Sequence, residues 1–139
     1  MPAKSSVIVA ALLLLAASCS KPASYEQFVR RDAATEGVYG FELDFSDSTS
    51  LYDLSFYAPA VKRDTMLALD VLWICPGADS LQERVYLPMK GREAIELYRS
   101  DAAPAPAGIW KLSVKIDGAP EDFLGIGIIC KRHGTRQTP

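Results

Sequence analysis

The chain has 139 residues, 15 basic against 17 acidic side chains for a formal net charge of -2, and 49% hydrophobic residues. That length leaves room for one ordinary domain and excludes two of typical size. Acids and bases are mixed along the chain, without the basic stripe a nucleic-acid surface needs, so no nucleic-acid partner is expected.

The amino terminus carries a basic residue, Lys4, followed by an unbroken apolar stretch from Val7 to Ala17. These are the n-region and h-region of a secretion signal. A membrane-spanning helix needs roughly 20 apolar residues, and this stretch is far shorter. Small residues, Ala16-Ala17-Ser18, then run directly into Cys19, a pattern similar to the lipobox cut by the lipoprotein signal peptidase. Ala16 stands where the strict pattern has Leu, with Leu15 one residue further out. Residues 1–18 are therefore expected to be a signal peptide, and Cys19 the lipid-modified first residue of the mature chain. An ordinary signal peptide, with Cys19 incidental, is the alternative. Acyl chains on Cys19 would contribute about 0.8 kcal/mol per buried methylene, holding the protein at a membrane. Ser20-Lys21-Pro22 places no acidic residue after the cysteine, which by resemblance to known sorting rules points to the outer membrane, on its periplasmic face.

Residues 19–36 read as a lipidated tether, polar and charged, in which Ser24-x-x-Gln27 has the spacing of a capping box and predicts at most one helical turn. Beyond Gly37 the hydrophobic pattern changes to period two, the signature of half-buried strands. Tyr39, Phe41, Leu43 and Phe45 face one way, and Tyr52, Leu54 and Phe56 form the next inward row after the turn-rich Ser46 to Ser50. Leu67, Leu69, Val71, Trp73 and Cys75 follow, and with Leu72 and Ile74 also apolar this strand is expected to be central and covered on both sides. Val85, Leu87 and Met89 make the fourth row. Ala94 to Arg99 is a weaker candidate before the Pro/Ala-rich loop Asp101 to Gly108. Trp110, Leu112, Val114 and Ile116 make the sixth strand, and Phe123 to Lys131 the last, where Gly125 and Gly127 suggest close backbone approach or a bulge. The predicted core includes Phe41, Leu54, Trp73, Leu87, Trp110, Val114 and Ile128.

About seven strands with turn chemistry between them and no helix of length predict an all-β chain, a two-sheet antiparallel β-sandwich of jelly-roll or Greek-key type over residues 37–132. A closed barrel is the alternative. Residues 133–139 are expected to be a polar C-terminal tail.

The order of motifs resembles a known family. Lipidated Cys19 is followed by Tyr25-Glu26, Phe41-Glu-Leu-Asp-Phe45, Leu51-Tyr-Asp-Leu-Ser-Phe56, Leu69-Asp-Val-Leu-Trp73, Glu83-Arg-Val-Tyr-Leu-Pro88, Gly108-Ile-Trp110 and Leu124-Gly-Ile-Gly-Ile-Ile129. This succession, spanning most of the mature chain, is similar to the gliding motility-associated lipoproteins of the H type found in Bacteroidetes. The resemblance implies a small β-sandwich lipoprotein associated with envelope machinery such as gliding motility or secretion, without enzymatic activity.

The residues themselves offer little for catalysis. His133 is the only histidine and is expected in the solvated tail, away from any serine and acid that would make a triad with it. No Cys-x-x-Cys or His pair provides a zinc site, and no metal or cofactor is expected. Asp44, Ser46, Asp47 and Ser48 gather oxygens that calcium would accept, but a self-capping turn explains the same residues. Glu42 and Asp44 share a strand face as paired catalytic carboxylates do, on the polar side where charges are the default. Cys75 and Cys130, on inward rows in an oxidising compartment, are candidates for a disulfide. Tyr57, Tyr86 and Tyr98 fall opposite the inward rows and are candidates for contact with a protein partner or a glycan.

Two functions remain open. The first is a non-enzymatic accessory or scaffold subunit of an envelope protein assembly. The second is a carbohydrate- or other ligand-binding lipoprotein of a glycan-uptake system. With no Asn and only Gln27, Gln82 and Gln137, the chain is poorly equipped for sugar hydroxyls, which favours the first.

Overall fold

Eight strands form, most with an inward row of apolar residues, and those rows meet in a single core. A computed structural model describes residues 24–77 and 79–134. The expected signal peptide, Cys19 and the part of the expected tail beyond Gly134 lie outside them. The strands are β1 (Ser24–Arg30), β2 (Val38–Phe45), β3 (Leu51–Ala58), β4 (Thr65–Ile74), β5 (Ser80–Met89), β6 (Ala94–Ala102), β7 (Gly108–Ile116) and β8 (Gly125–His133). They form two four-stranded sheets, ordered β1-β8-β3-β6 and β2-β7-β4-β5, with every neighbour antiparallel. Pairing first with eighth, second with seventh, third with sixth and fourth with fifth is the arrangement of a jelly roll.

The period-two reading places the inner rows correctly. Tyr39, Phe41, Leu43 and Phe45 of β2 are buried, as are Tyr52, Leu54 and Phe56 of β3, and Leu67, Leu69, Val71 and Trp73 of β4. From the other strands come Leu87, Leu112, Val114, Ile126 and Ile128. Each such side chain, fully buried, contributes about 1.5–3 kcal/mol. Trp110 departs from the expectation and is only half-buried. It lies near the start of β7, at one end of the sandwich, where its ring meets Phe45 and Trp73 edge-on at 6.0 Å each.

Four further corrections concern elements. Ser24–Arg30 is a strand, not a helical turn in a tether, so the sheets begin before Gly37. Tyr25 and Val29 pack against the core, while the Gln27 amide donates to the Glu42 carbonyl at 2.6 Å across the open edge between β1 and β2. The weak candidate at Ala94 is a full strand reaching Ala102. Central β4 keeps Leu72 and Ile74 half-exposed, because no second layer covers that face. The last strand begins at Gly125 rather than Phe123, whose buried ring instead fills the end of the core from the preceding loop.

The opposite edge of the sandwich is closed by polar chemistry. Glu83 of β5 accepts from the Tyr98 hydroxyl and pairs with the Arg99 guanidinium of β6. Tyr98 in turn accepts the indole N–H of Trp73 at 2.8 Å and stacks on that ring, 6° from parallel. Buried Trp and Tyr thereby each satisfy their polar atom.

Candidate functional site

The outer face of the β1-β8-β3-β6 sheet presents several large apolar side chains to solvent. Register places Phe28, Gly127, Tyr57 and Ile95 side by side across its four strands. The adjacent row holds Glu26, Ile129, Ser55 and Leu97. Phe28, Ile95 and Leu97 are 39%, 60% and 58% exposed, so the apolar groups there face solvent rather than the core. Tyr57, half-buried, lies with its ring over the backbone of Gly127 and 5.8 Å from the Phe28 ring. Glycine at 127 is what admits that ring, as in the aromatic covering of strand glycines. The sequence singled out Tyr57 correctly but not its neighbours, whose common face depends on the order of the strands.

The other two tyrosines divide. Tyr86 is 54% exposed on the outer face of the second sheet, opposite Ala68. Tyr98 is not a surface contact residue: it is buried, with its ring among Trp73 and Phe56. It keeps the parity of buried Ala94, while Ile95 and Leu97 face out, and so points inward beside Leu54, where a shift of register between β3 and β6 follows.

That irregularity builds a cluster the sequence did not disclose. Asp101, in the left-handed region at φ 53°, donates its backbone N–H to Asp53 Oδ1 at 2.9 Å. His133 is not in a free tail but ends β8, with Nε2 2.9 Å from Asp53 Oδ1 and 3.1 Å from Asp101 Oδ1. The Asp101 N–H first, and the His133 ring second, lower the Asp53 pKa. One imidazole nitrogen and two carboxylates within 4.8 Å of one another have the composition of a three-ligand cation site. Ion pairing and a local hydrogen bond account for the same arrangement.

At the same end of the sandwich a groove of about 330 Å³ is lined by Phe45, Trp73, Leu81, Trp110 and Ala102–Ala105, with Glu83 and Arg99 at its side. Trp110 donates its indole N–H to the Pro106 carbonyl at 2.9 Å, pinning the β6–β7 loop. The Ser46–Ser50 turn serves itself: Asp47 accepts from Thr49 N, Thr49 Oγ1 and Ser50 Oγ at 3.0, 2.6 and 2.7 Å. Those bonds hold Asp47 at a pKa of about 2. Asp44 likewise accepts from the backbone of Ser46 at 3.0 Å, while Glu42 lies exposed opposite Lys111.

Cys75 and Cys130 are free thiols, not a disulfide. Cys75 lies beyond β4 in the turn to β5, whereas Cys130 points into the core from the other sheet, between Tyr25 and Leu54 in register. Burial raises the Cys130 pKa. It also raises that of Tyr25, whose hydroxyl lies against Cys130 without a well-formed hydrogen bond.

No protein-family model matches the chain, and no curated protein matches it. Among solved structures it is similar to one described as the crystal structure of PirA, at 10% identity and a TM-score of 0.38, over 82% of this chain and 96% of that one. So distant a likeness does not bear on function.

Proposed function

We propose that the protein is a non-enzymatic lipoprotein, anchored through Cys19 on the periplasmic face of an outer membrane, that docks another envelope protein as an accessory or scaffold subunit. The observation that carries this reading is the solvent-facing apolar face of Phe28, Tyr57, Ile95, Leu97 and Ile129. A contiguous apolar surface of this kind, rimmed by Glu26, Asp53 and Lys131, suits a protein partner. Anchoring on a shared membrane raises the partner's effective concentration, so a modest interface suffices. The resemblance to gliding motility-associated lipoproteins suggests motility or secretion machinery as the assembly.

The second reading, a carbohydrate-binding lipoprotein, draws on the groove between Trp73 and Trp110. It is less well supported. Among the described residues the groove is lined by no amide: Gln27 bonds the Glu42 carbonyl, and Gln82 lies on the outer face of the second sheet.

The test is the full chain expressed in a didermic host, with Cys19 acylation read by mass spectrometry. Ile95→Glu with Leu97→Glu is expected to abolish co-purification of the wild-type partner while leaving folding and acylation unchanged. Retained co-purification, or an unacylated Cys19, contradicts the proposal.

A further inference from the structure

We infer that the end of the sandwich bearing the Ala103–Ala107 loop rests on the lipid surface, with Trp110, Ile109 and Leu81 as its interfacial contacts. The inference rests on the acylation of Cys19 proposed above.

Only five residues of chain lead from Cys19 to Ser24, where β1 begins. Fully extended, they reach about 18 Å. The nine residues of β8 run beside β1, and nine strand residues span about 30 Å. Ser24 pairs with Lys131, so β1 starts at the end of the molecule where β8 finishes. That end lies within reach of an acylated cysteine, and the far end lies beyond it.

The two ends differ in chemistry. Near Ser24, the nine residues from Ala102 to Trp110 contain no charged or hydrogen-bonding side chain except the indole of Trp110. Ala103, Ala105, Pro106 and Ala107 are exposed, Ile109 is 51% exposed and Leu81 54% exposed. Among the carboxylates at this end, Asp53 and Asp101 gather around His133, Asp47 is held by its own turn and Arg132, and Asp79 is exposed in the turn before β5. The opposite end carries Lys62, Arg63, Lys90, Arg92, Glu121 and Asp122 in its loops. An uncharged loop flanked by an indole suits the boundary between headgroups and acyl chains, where Trp concentrates. The charged end suits water. In this posture the apolar side of the β1-β8-β3-β6 sheet stands clear of the membrane for its partner.

The experiment uses the full, acylated chain reconstituted in vesicles of phosphatidylethanolamine and phosphatidylglycerol, with acyl chains either brominated or not. Bromine quenches a tryptophan that sits at the lipid boundary. The chain has two tryptophans, and Trp73 is 5% exposed. The expected result is a loss of emission in brominated vesicles that disappears in Trp110→Phe. It also disappears in the doubly substituted Ala105→Asp, Ala107→Asp chain, whose changes lie in an exposed loop and leave the circular dichroism unchanged. Equal emission in both vesicle types, or quenching that persists in either variant, overturns the inference when mass spectrometry shows Cys19 acylated. An unacylated Cys19 overturns the anchoring reading and this inference together.

Discussion

The ring of Tyr57 occupies the space above Gly127 where any larger residue would place its Cβ. This contact fixes the centre of the proposed docking face. Gly127→Ala must push the ring off the sheet or bend β8, and overpacking of this kind costs about 1–3 kcal/mol. In a Tyr57→Ala background the same change is expected to cost little, giving a large coupling in a double-mutant cycle by urea unfolding. Additive effects contradict the packing described.

Trp73, Tyr98 and Glu83 join the two sheets through one chain of donors. Tyr98→Phe leaves the Trp73 indole N–H buried without its acceptor, and about 1–3 kcal/mol of stability is expected to be lost. Tyr86→Phe, on the exposed face of the second sheet, provides the comparison and is expected to change stability by less than about 0.5 kcal/mol. Equal effects from the two substitutions would contradict the different environments.

The class of fold was legible because inward rows such as Tyr39 to Phe45 and Leu67 to Trp73 alternate almost without error. β1 escaped because it is an edge strand whose inward side carries Gln27 between Tyr25 and Val29, while Phe28 faces out, so its alternation is not one of hydrophobicity. Tyr98 was misplaced because charged and apolar residues mix in β6, hiding that it shares the parity of buried Ala94, and Asp101 was missed because a register shift between β3 and β6 carries it beside Asp53. The partnership of His133 with Asp53 follows from strand pairing between β8 and β3, which no local pattern encodes. Tyr57 could be singled out from sequence, but Ile95 and Leu97 join it only through the strand order.

Acid is expected to weaken the end of the sandwich that holds the Ser46–Ser50 turn. The folded-state pKa of Asp47 is lowered to about 2 from an ordinary 3.8, so its contribution is present above about pH 4 and is lost as pH falls toward 2. Asp53 is shifted in the same direction. Asp47→Ala is therefore expected to lower stability near neutrality and to make the decline below pH 4 shallower. An unchanged pH dependence by thermal unfolding contradicts the Asp47 contacts.

The two described cysteines are expected to react as separate thiols. Under non-reducing conditions, Cys75, half-exposed, should be modified by a thiol reagent in the folded protein, and Cys130 only as it unfolds. The raised pKa of Cys130 and its burial both slow attack. Recovery of a Cys75–Cys130 peptide without prior reduction would contradict the free thiols.

Site-directed photo-crosslinking in living cells tests the docking claim most directly. A photoreactive side chain at Ile95 or Leu97 samples the outer face of the β1-β8-β3-β6 sheet, and one at Ser113 samples the outer face of the other. The account predicts one discrete envelope-protein adduct from Ile95 and Leu97, absent from Ser113 and lost when Cys19→Ser releases the chain from the membrane. The same adducts from both faces, or none from Ile95 and Leu97, would contradict it.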